Sequence, residues 1–342
     1  MHCWPCWNST ECIERRASLH ERSRQRRYNR WVAKKQQSRS SRTKKTGFAA
    51  PPKPATAGDW IAGARVRTLG LAIAPVLVGV GAAVLAGEWH LIRSVLALVV
   101  ALSLQVGVNF ANDYSDGIRG TDQHRVGPRR LTGSGAVKGR TVLIVALSFF
   151  GVGALAGLAI VVITQQWWLL GVGALAIVAA WFYTGGRRPY GYFGLGELVA
   201  FAFFGPVAVA GTTFINAGTV NAEAWLGGIA LGLFAAATLL VNNVRDEEQD
   251  RAAGKRTLSV LIGGTASRIL FVLLLLVPYV IAFFLGYVYP GVQLIWLTLL
   301  ISAAAALITL TARTSQELIL VLQLVAINSL AYAAVLAAAF AL

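Results

Sequence analysis

Nine stretches of this chain, at about 69-87, 94-112, 141-163, 167-183, 195-215, 223-241, 269-288, 292-311 and 319-341, are apolar over roughly 17 to 25 residues each. Where no water reaches the backbone, a run of this length satisfies its own N–H and C=O groups only as a helix. An all-α fold is therefore expected: a polytopic membrane bundle of about nine transmembrane helices. The composition agrees, since 56% hydrophobic and 13% charged residues are too apolar for a soluble domain of 342 residues. Gly and Ala recur inside the runs, as in "GVGALAGLAI" and "LGGIALGLFAAA". Small residues of this kind let helices approach closely in lipid.

Charge then orients the bundle. If the N-terminus is inside, the connections 113-140, 184-194, 242-268 and 312-318 are cytoplasmic and carry fourteen Lys/Arg, whereas the opposite connections carry only Arg93. Fourteen against one follows the positive-inside rule, so the N-terminus is expected in the cytoplasm and the protein in the plasma membrane. The external connections are short and rich in Trp and Tyr, as an interfacial aromatic belt requires.

Residues 1 to 58 differ from the remainder. They hold 14 Lys/Arg against three Glu and show no apolar periodicity, so a disordered basic tail is expected ahead of a single intramembrane domain at 59-342. Three readings fit the tail: an arm drawn to anionic lipid, an arm for nucleic acid, and an upstream stretch translated from a misassigned start. No nucleic-acid partner is expected for the protein as a whole. Cys3, Cys6 and Cys12 all lie in the tail; a single Cys-x2-Cys without a second pair reads as incidental thiols before it reads as zinc.

The chemistry-bearing residues are concentrated elsewhere. Of six aspartates, Asp113, Asp116, Asp122, Asp246 and Asp250 fall in just two cytoplasmic connections. "NDYSD" (112-116) and "NNVRD" (242-246) both read Asn-x3-Asp at the cytoplasmic end of an even-numbered run, and each is followed by a further Asp. Residues four apart share a helix face, so Asn112 with Asp116, and Asn242 with Asp246 and Asp250, present oxygens as stripes prolonging two spans. Two such stripes facing each other repel and require a cation. Carboxylate and amide oxygens without His or Cys select a hard divalent ion, Mg²⁺ before Zn²⁺. Mg²⁺ held by few carboxylates completes its shell with water and substrate phosphate oxygens. Arg119, Arg125, Arg129, Arg130, Arg245, Lys255 and Arg256 flank the acids, and guanidinium groups grip phosphate bidentately. A phosphate or diphosphate with an apolar tail is the expected substrate. Between the two motifs, "YTGGRRPYGYFGLGE" supplies Tyr183, Arg187, Arg188, Tyr190 and Tyr192, either as interfacial residues or as a lid whose aromatic faces stabilise a developing cation.

These strings resemble the UbiA superfamily of intramembrane prenyltransferases: "NDYSD", then "NNVRDEEQD" continuing "AGKRTLSV", with a Tyr-x3-basic element between them, over about residues 60 to 342. "NDYSDGIRGTDQHRVGPRRLTGSG", "YTGGRRPYGYFGLGE" and "FFGPVAVAGT" are most similar to the subgroup that prenylates 1,4-dihydroxy-2-naphthoate in menaquinone synthesis. The resemblance implies a Mg²⁺-dependent enzyme, its site facing the cytoplasm, that moves a polyprenyl group from polyprenyl diphosphate to that ring with loss of CO₂ and diphosphate. It further implies Asn112, Asp116, Asp122, Asp246 and Asp250 as metal ligands, with Asp116, Asp246 and Tyr183 in the catalytic step. Arg125, Arg245 and Lys255 are implied on the diphosphate, with Arg187 or Arg188 completing the Tyr-x3-basic element. Two departures stand out. The superfamily's element usually ends in Lys, and Asp122 lies six residues beyond Asp116, where many relatives have four. Arg65 and Arg67 stand at the mouth of the first span, either as flanking charge or as an anchor for the acceptor's carboxylate. Rival readings are another aromatic acceptor, such as 4-hydroxybenzoate, and a transporter of an anionic lipid-linked substrate.

Overall fold

The structure is a computed structural model describing residues 53–120 and 130–342. The basic tail up to residue 52, with its cysteines, and the segment 121–129, with Asp122, Arg125 and Arg129, lie outside the described residues.

Among the described residues all regular structure is helical, and each of the nine expected runs forms a helix or helix pair. In chain order the elements are α1 (Ala57–Ala64), α2 (Gly70–Leu85), α3 (Leu91–Arg119), α4 (Gly139–Thr164), α5 (Leu169–Phe182), α6 (Gly196–Ala217), α7 (Ala222–Ala252), α8 (Leu258–Ile262), α9 (Gly264–Leu285), α10 (Pro290–Thr311) and α11 (Ser315–Ala341). Seven of them (α3, α4, α6, α7, α9, α10 and α11) are long and apolar enough to cross a membrane. The α1/α2 pair, bent by 42°, makes an eighth if counted as one span, and α5 is shorter, with 14 residues. The sequence-based count of nine therefore exceeds what length and apolarity support. The seven spans are those of a multi-pass membrane protein.

Helix α7 is the axis of the bundle: 72% of its apolar window is buried, against 28 to 44% in the other six spans. Its Phe234 meets Tyr332 of α11 edge to face at 5.3 Å and Tyr279 of α9 at 6.4 Å. Buried tyrosines in an apolar interior need a partner for the hydroxyl. Tyr332 donates to the Pro278 carbonyl at 2.8 Å, and Tyr279 sits within 3.0 to 3.2 Å of Thr298, Ser302 and Asn328 oxygens. Where α6 crosses α7, the backbones nearly touch. A Cβ on Gly205 would stand 2.4 Å from the Gly228 carbonyl oxygen and 2.5 Å from Gly232 Cα, and the helix runs through a π-turn, Phe203–Val207, containing Pro206.

The two longest helices are α3 and α7. At 1.5 Å per residue, the 29 residues of α3 and 31 of α7 span about 43 and about 46 Å, against a hydrocarbon layer of ~30 Å. Both helices carry their Asn-x3-Asp motif near the C-terminal end as a direct continuation of the apolar run, without a break. Gly120 (φ 71°) and Gly254 (φ 76°) then turn the chain in the left-handed conformation that glycine adopts at low cost.

Candidate active site

Helical register separates the α3 acids. Asn112 and Asp116 are buried and line a cavity of about 960 Å³. Asp113, one residue on, faces away from it: its carboxylate accepts the backbone N–H groups of Leu131 and Thr132 at 2.9 and 2.8 Å. It pins the returning chain to α3 and belongs to the scaffold.

From α7, Asn242, Asp246 and Asp250 line the same cavity, as does Lys255 in the following turn. The remaining wall is largely apolar and comes from α1 to α7 and α11, with Leu104, Val108, Gly157, Ala176 and Phe204 among its members. A polar mouth thus opens into a greasy interior.

Resident cations hold the carboxylates. Lys255 Nζ lies 3.5 Å from Asp116 Oδ1 and 3.7 Å from Asp250 Oδ1, joining the motif of α3 to that of α7. Arg245 grips Asp246 through Nε and Nη2 at 2.8 and 2.7 Å, with both side chains buried. Tyr192 donates from its hydroxyl to Asp116 Oδ1 at 2.8 Å, while Lys255 and Arg119 stand 4.7 and 5.6 Å from its ring centre. Burial, followed by the Asp116 charge, pushes the Tyr192 phenol up from its ordinary value, so it stays protonated and keeps donating at neutral pH.

The segment between α5 and α6 sorts the other expected residues. Tyr183 lines the cavity and packs edge to face on Tyr190 at 5.6 Å. Arg187 and Arg188 do not join it: both are exposed and absent from the lining. The cause is local. Gly186 (φ 75°) turns the chain outward, and the following residues fold back through hydrogen bonds from Gly191 N–H to the Tyr183 carbonyl (3.1 Å) and from the Tyr190 hydroxyl to the Ala179 carbonyl (2.8 Å). The arginines are left on the outer side of that loop. Arg119, from the end of α3, instead donates to the Thr184 and Gly186 carbonyls. Arg65, Arg67 and Arg130 also line the cavity.

Two hydroxyl side chains that spacing did not single out belong here. Thr184 donates to Asn112 Oδ1 at 2.6 Å, linking the α5 end to the first motif. Thr257, buried and lining the cavity, has no hydrogen-bond partner for Oγ1 among the described residues. A Thr directly after a Tyr or a Lys-Arg pair carries no periodic signal, so only the fold could bring either forward.

The family model described as "UbiA prenyltransferase family" matches residues 72–322. The chain belongs to the UbiA prenyltransferase family. A Mycobacterium tuberculosis protein named 1,4-dihydroxy-2-naphthoate octaprenyltransferase is 45% identical over 294 residues, 84% of this chain and 98% of its own. An Escherichia coli protein of the same name is 37% identical over 218 residues, 61% of this chain and 70% of its own. Among solved structures, the apo form of a UbiA homolog from Aeropyrum pernix overlays with a TM-score of 0.61 at 16% identity, covering 80% of this chain and 98% of that one. A UbiA homolog from Archaeoglobus fulgidus, bound to GPP and Mg²⁺, overlays at 0.55 and 15% identity, covering 83% of this chain and all of that one. These two likenesses establish the fold.

This UbiA chain gathers no three His, Cys, Asp or Glu into a self-sufficient metal cage among the described residues. A hard divalent ion needs no such cage when one or two carboxylates, waters and substrate phosphates complete its shell. The donors lining the cavity, Asn112, Asp116, Asp246 and Asp250, are all oxygen-bearing and lie beside cationic groups. Their chemistry fits Mg²⁺ bound together with a diphosphate.

Proposed function

We propose that this protein transfers a polyprenyl group from its diphosphate to 1,4-dihydroxy-2-naphthoate, releasing diphosphate and CO₂ and giving demethylmenaquinol, the reduced form of demethylmenaquinone. The observation that carries the reading is the convergence of two Asn-x3-Asp motifs, 130 residues apart, at the mouth of one apolar cavity. The acceptor follows from the likeness to the M. tuberculosis and E. coli enzymes named for it.

Asn112, Asp116, Asp246 and Asp250 would hold Mg²⁺, with Asp122 a further candidate. When bound, Mg²⁺ neutralises charge on the diphosphate and so makes it a better leaving group. Lys255 and Arg245, placed beside these acids, offer N–H donors to phosphate oxygens as charge grows there. Such preorganised donors stabilise the transition state without reorganisation cost. The allylic C–O bond breaks, and its electron pair leaves with diphosphate. The ring carbon bearing the carboxylate forms the new C–C bond, then releases CO₂, whose bonding pair returns to the ring. Tyr183, on the cavity wall, presents a π face to the allylic cation. Apolar walls exclude the water that would quench it.

In this reading all nine helical runs cross or enter the plasma membrane, the N-terminus is cytoplasmic and the site opens to the cytoplasm. The fourteen-to-one distribution of Lys/Arg supports that orientation. The isoprenoid tail would occupy the apolar part of the cavity, and the membrane would supply it.

The deciding assay incubates the purified protein with Mg²⁺, a polyprenyl diphosphate and either 1,4-dihydroxy-2-naphthoate or 4-hydroxybenzoate. Product with the naphthoate alone supports the assignment; product with hydroxybenzoate alone sinks it. Chelation by EDTA should stop turnover, and Asp116→Ala or Asp246→Ala should abolish it. Flux of substrate without product would point to the transporter instead.

A further inference from the structure

One buried carboxylate beside the cavity has no part in handling diphosphate. Glu197, second residue of α6, is 6% exposed and lies just behind the wall, of which its neighbour Gly196 forms part. Its Oε1 accepts a 2.8 Å hydrogen bond from Asn243 Nδ2, and its Oε2 has no hydrogen-bond partner among the described residues. Burying a carboxyl group is expensive, and hydrogen bonding of ordinary strength does not offset it. Packing alone would be better served by an apolar side chain.

Asn243 is the other half of this arrangement. It is 7% exposed and lines the cavity. A carboxylate accepts and an amide NH₂ donates, so Glu197 fixes which end of Asn243 faces it. The amide oxygen is left for the cavity side, and no described residue donates to it. Asn243 precedes Asp246 by three residues, so it shares that helix face and lies about 4.5 Å deeper along α7. With the diphosphate at the carboxylates, the allylic carbon is the next atom on the apolar side. A ring that attacks that carbon has to lie one turn deeper, at the level of Asn243. Tyr183 borders the same place, its Cε2 3.2 Å from where a Cβ on Gly196 would stand.

We propose that Asn243 Oδ1 accepts a hydrogen bond from a hydroxyl of the aromatic acceptor, and that Glu197 is the positioning residue that turns Asn243 to do so. This rests on the reading of the site as an aromatic prenyltransferase. The pair selects hydroxylated rings, because a ring without the hydroxyl leaves a buried carbonyl unpaired. Accepting that hydrogen bond also pushes electron density into the ring that must attack.

The test uses the purified full chain with Mg²⁺, farnesyl diphosphate and 1,4-dihydroxy-2-naphthoate. Asn243→Ala should raise KM for the naphthoate by roughly 10- to 100-fold and leave KM for the diphosphate within about twofold. Glu197→Ala should do the same, and the double variant should be no worse than either single one. Glu197→Gln keeps an oxygen that accepts from Asn243, so it should recover most of the acceptor affinity. As competitive inhibitors, 1-hydroxy-2-naphthoate should outrank 2-naphthoate on the wild type, and Asn243→Ala should erase that preference. Additive single effects, equal loss for both substrates, or an intact inhibitor preference overturns the proposal. Should Glu197→Ala fail to fold, Asn243→Ala, Glu197→Gln and the inhibitor ranking decide. Failure of the wild type to prenylate the naphthoate sinks the proposed function; a working wild type whose variants shift both KM values alike sinks only this inference.

Discussion

Lys255 reaches across from the turn after α7 to Asp116 on α3, Nζ to Oδ1 at 3.5 Å, while also standing 3.7 Å from Asp250. One side chain thereby couples two carboxylates from motifs that are far apart in sequence. Replacing it with the similarly long, neutral Met leaves those carboxylates without their shared cation and removes a donor to the diphosphate. Lys255→Met is expected to lower kcat/KM by about 100-fold, read in a prenyl-transfer assay with membranes or purified protein.

Tyr192 is the second connection to Asp116, through its hydroxyl at 2.8 Å, with its ring beneath Lys255. Tyr192→Phe keeps the ring and removes the donor, so a loss of roughly 10-fold in activity is expected. Tyr192→Ala removes both and should cost more. Measuring the two side by side separates the hydrogen bond from the cation-π contact.

Arg187 and Arg188 are exposed, whereas Arg245 is buried in a two-point grip on Asp246. Arg187→Ala and Arg188→Ala are therefore expected to keep turnover within about twofold in saturating substrate, as isolated exposed charges contribute little. Arg245→Ala removes that grip on a buried carboxylate and a donor to the diphosphate, and turnover should fall by about 100-fold or more. A large loss in the first pair would show that the loop closes over the substrate.

Asp113 holds two backbone N–H groups of the chain returning to α4. Asp113→Ala should destabilise that return by about 1.5–3 kcal/mol, seen as a lower melting temperature in detergent. The loss should precede any change in Mg²⁺ dependence, because Asp113 does not line the cavity.

Gly205→Ala tests the crossing of α6 and α7. The added methyl would meet backbone atoms of Gly228 and Gly232 at 2.4 to 2.7 Å, and backbone cannot swing aside as a side chain would. A loss of about 1–3 kcal/mol is expected, again from thermal melting, with the neighbouring Gly211→Ala as a control whose Cβ meets nothing within 4 Å.

What could be read from the residues in order is whatever repeats with a helix or counts along the chain. Apolar runs marked the nine helical stretches, the Lys/Arg distribution indicated an orientation, and four-residue spacing placed Asn112 with Asp116 and Asp246 with Asp250 on one face, as the cavity lining has them. Helix α5 exceeded this method, because an apolar run measures composition and not the 14 residues that are helical. Asp113 exceeded it too: adjacent to Asn112, it points to the other side of α3 and serves the backbone. Apart from one 3₁₀ turn, Tyr190–Phe193, the loop from Gly186 to Gly194 has no repeating geometry, so nothing in "GGRRPYGYFG" could say that the arginines face out and Tyr192 faces in. Nor could any spacing rule join Glu197 to Asn243 or Lys255 to Asp116. Local pattern determines helices and their faces, since those follow from backbone periodicity; which face meets which, and which acid is assigned to which cation, is decided only when α3, α6 and α7 pack together.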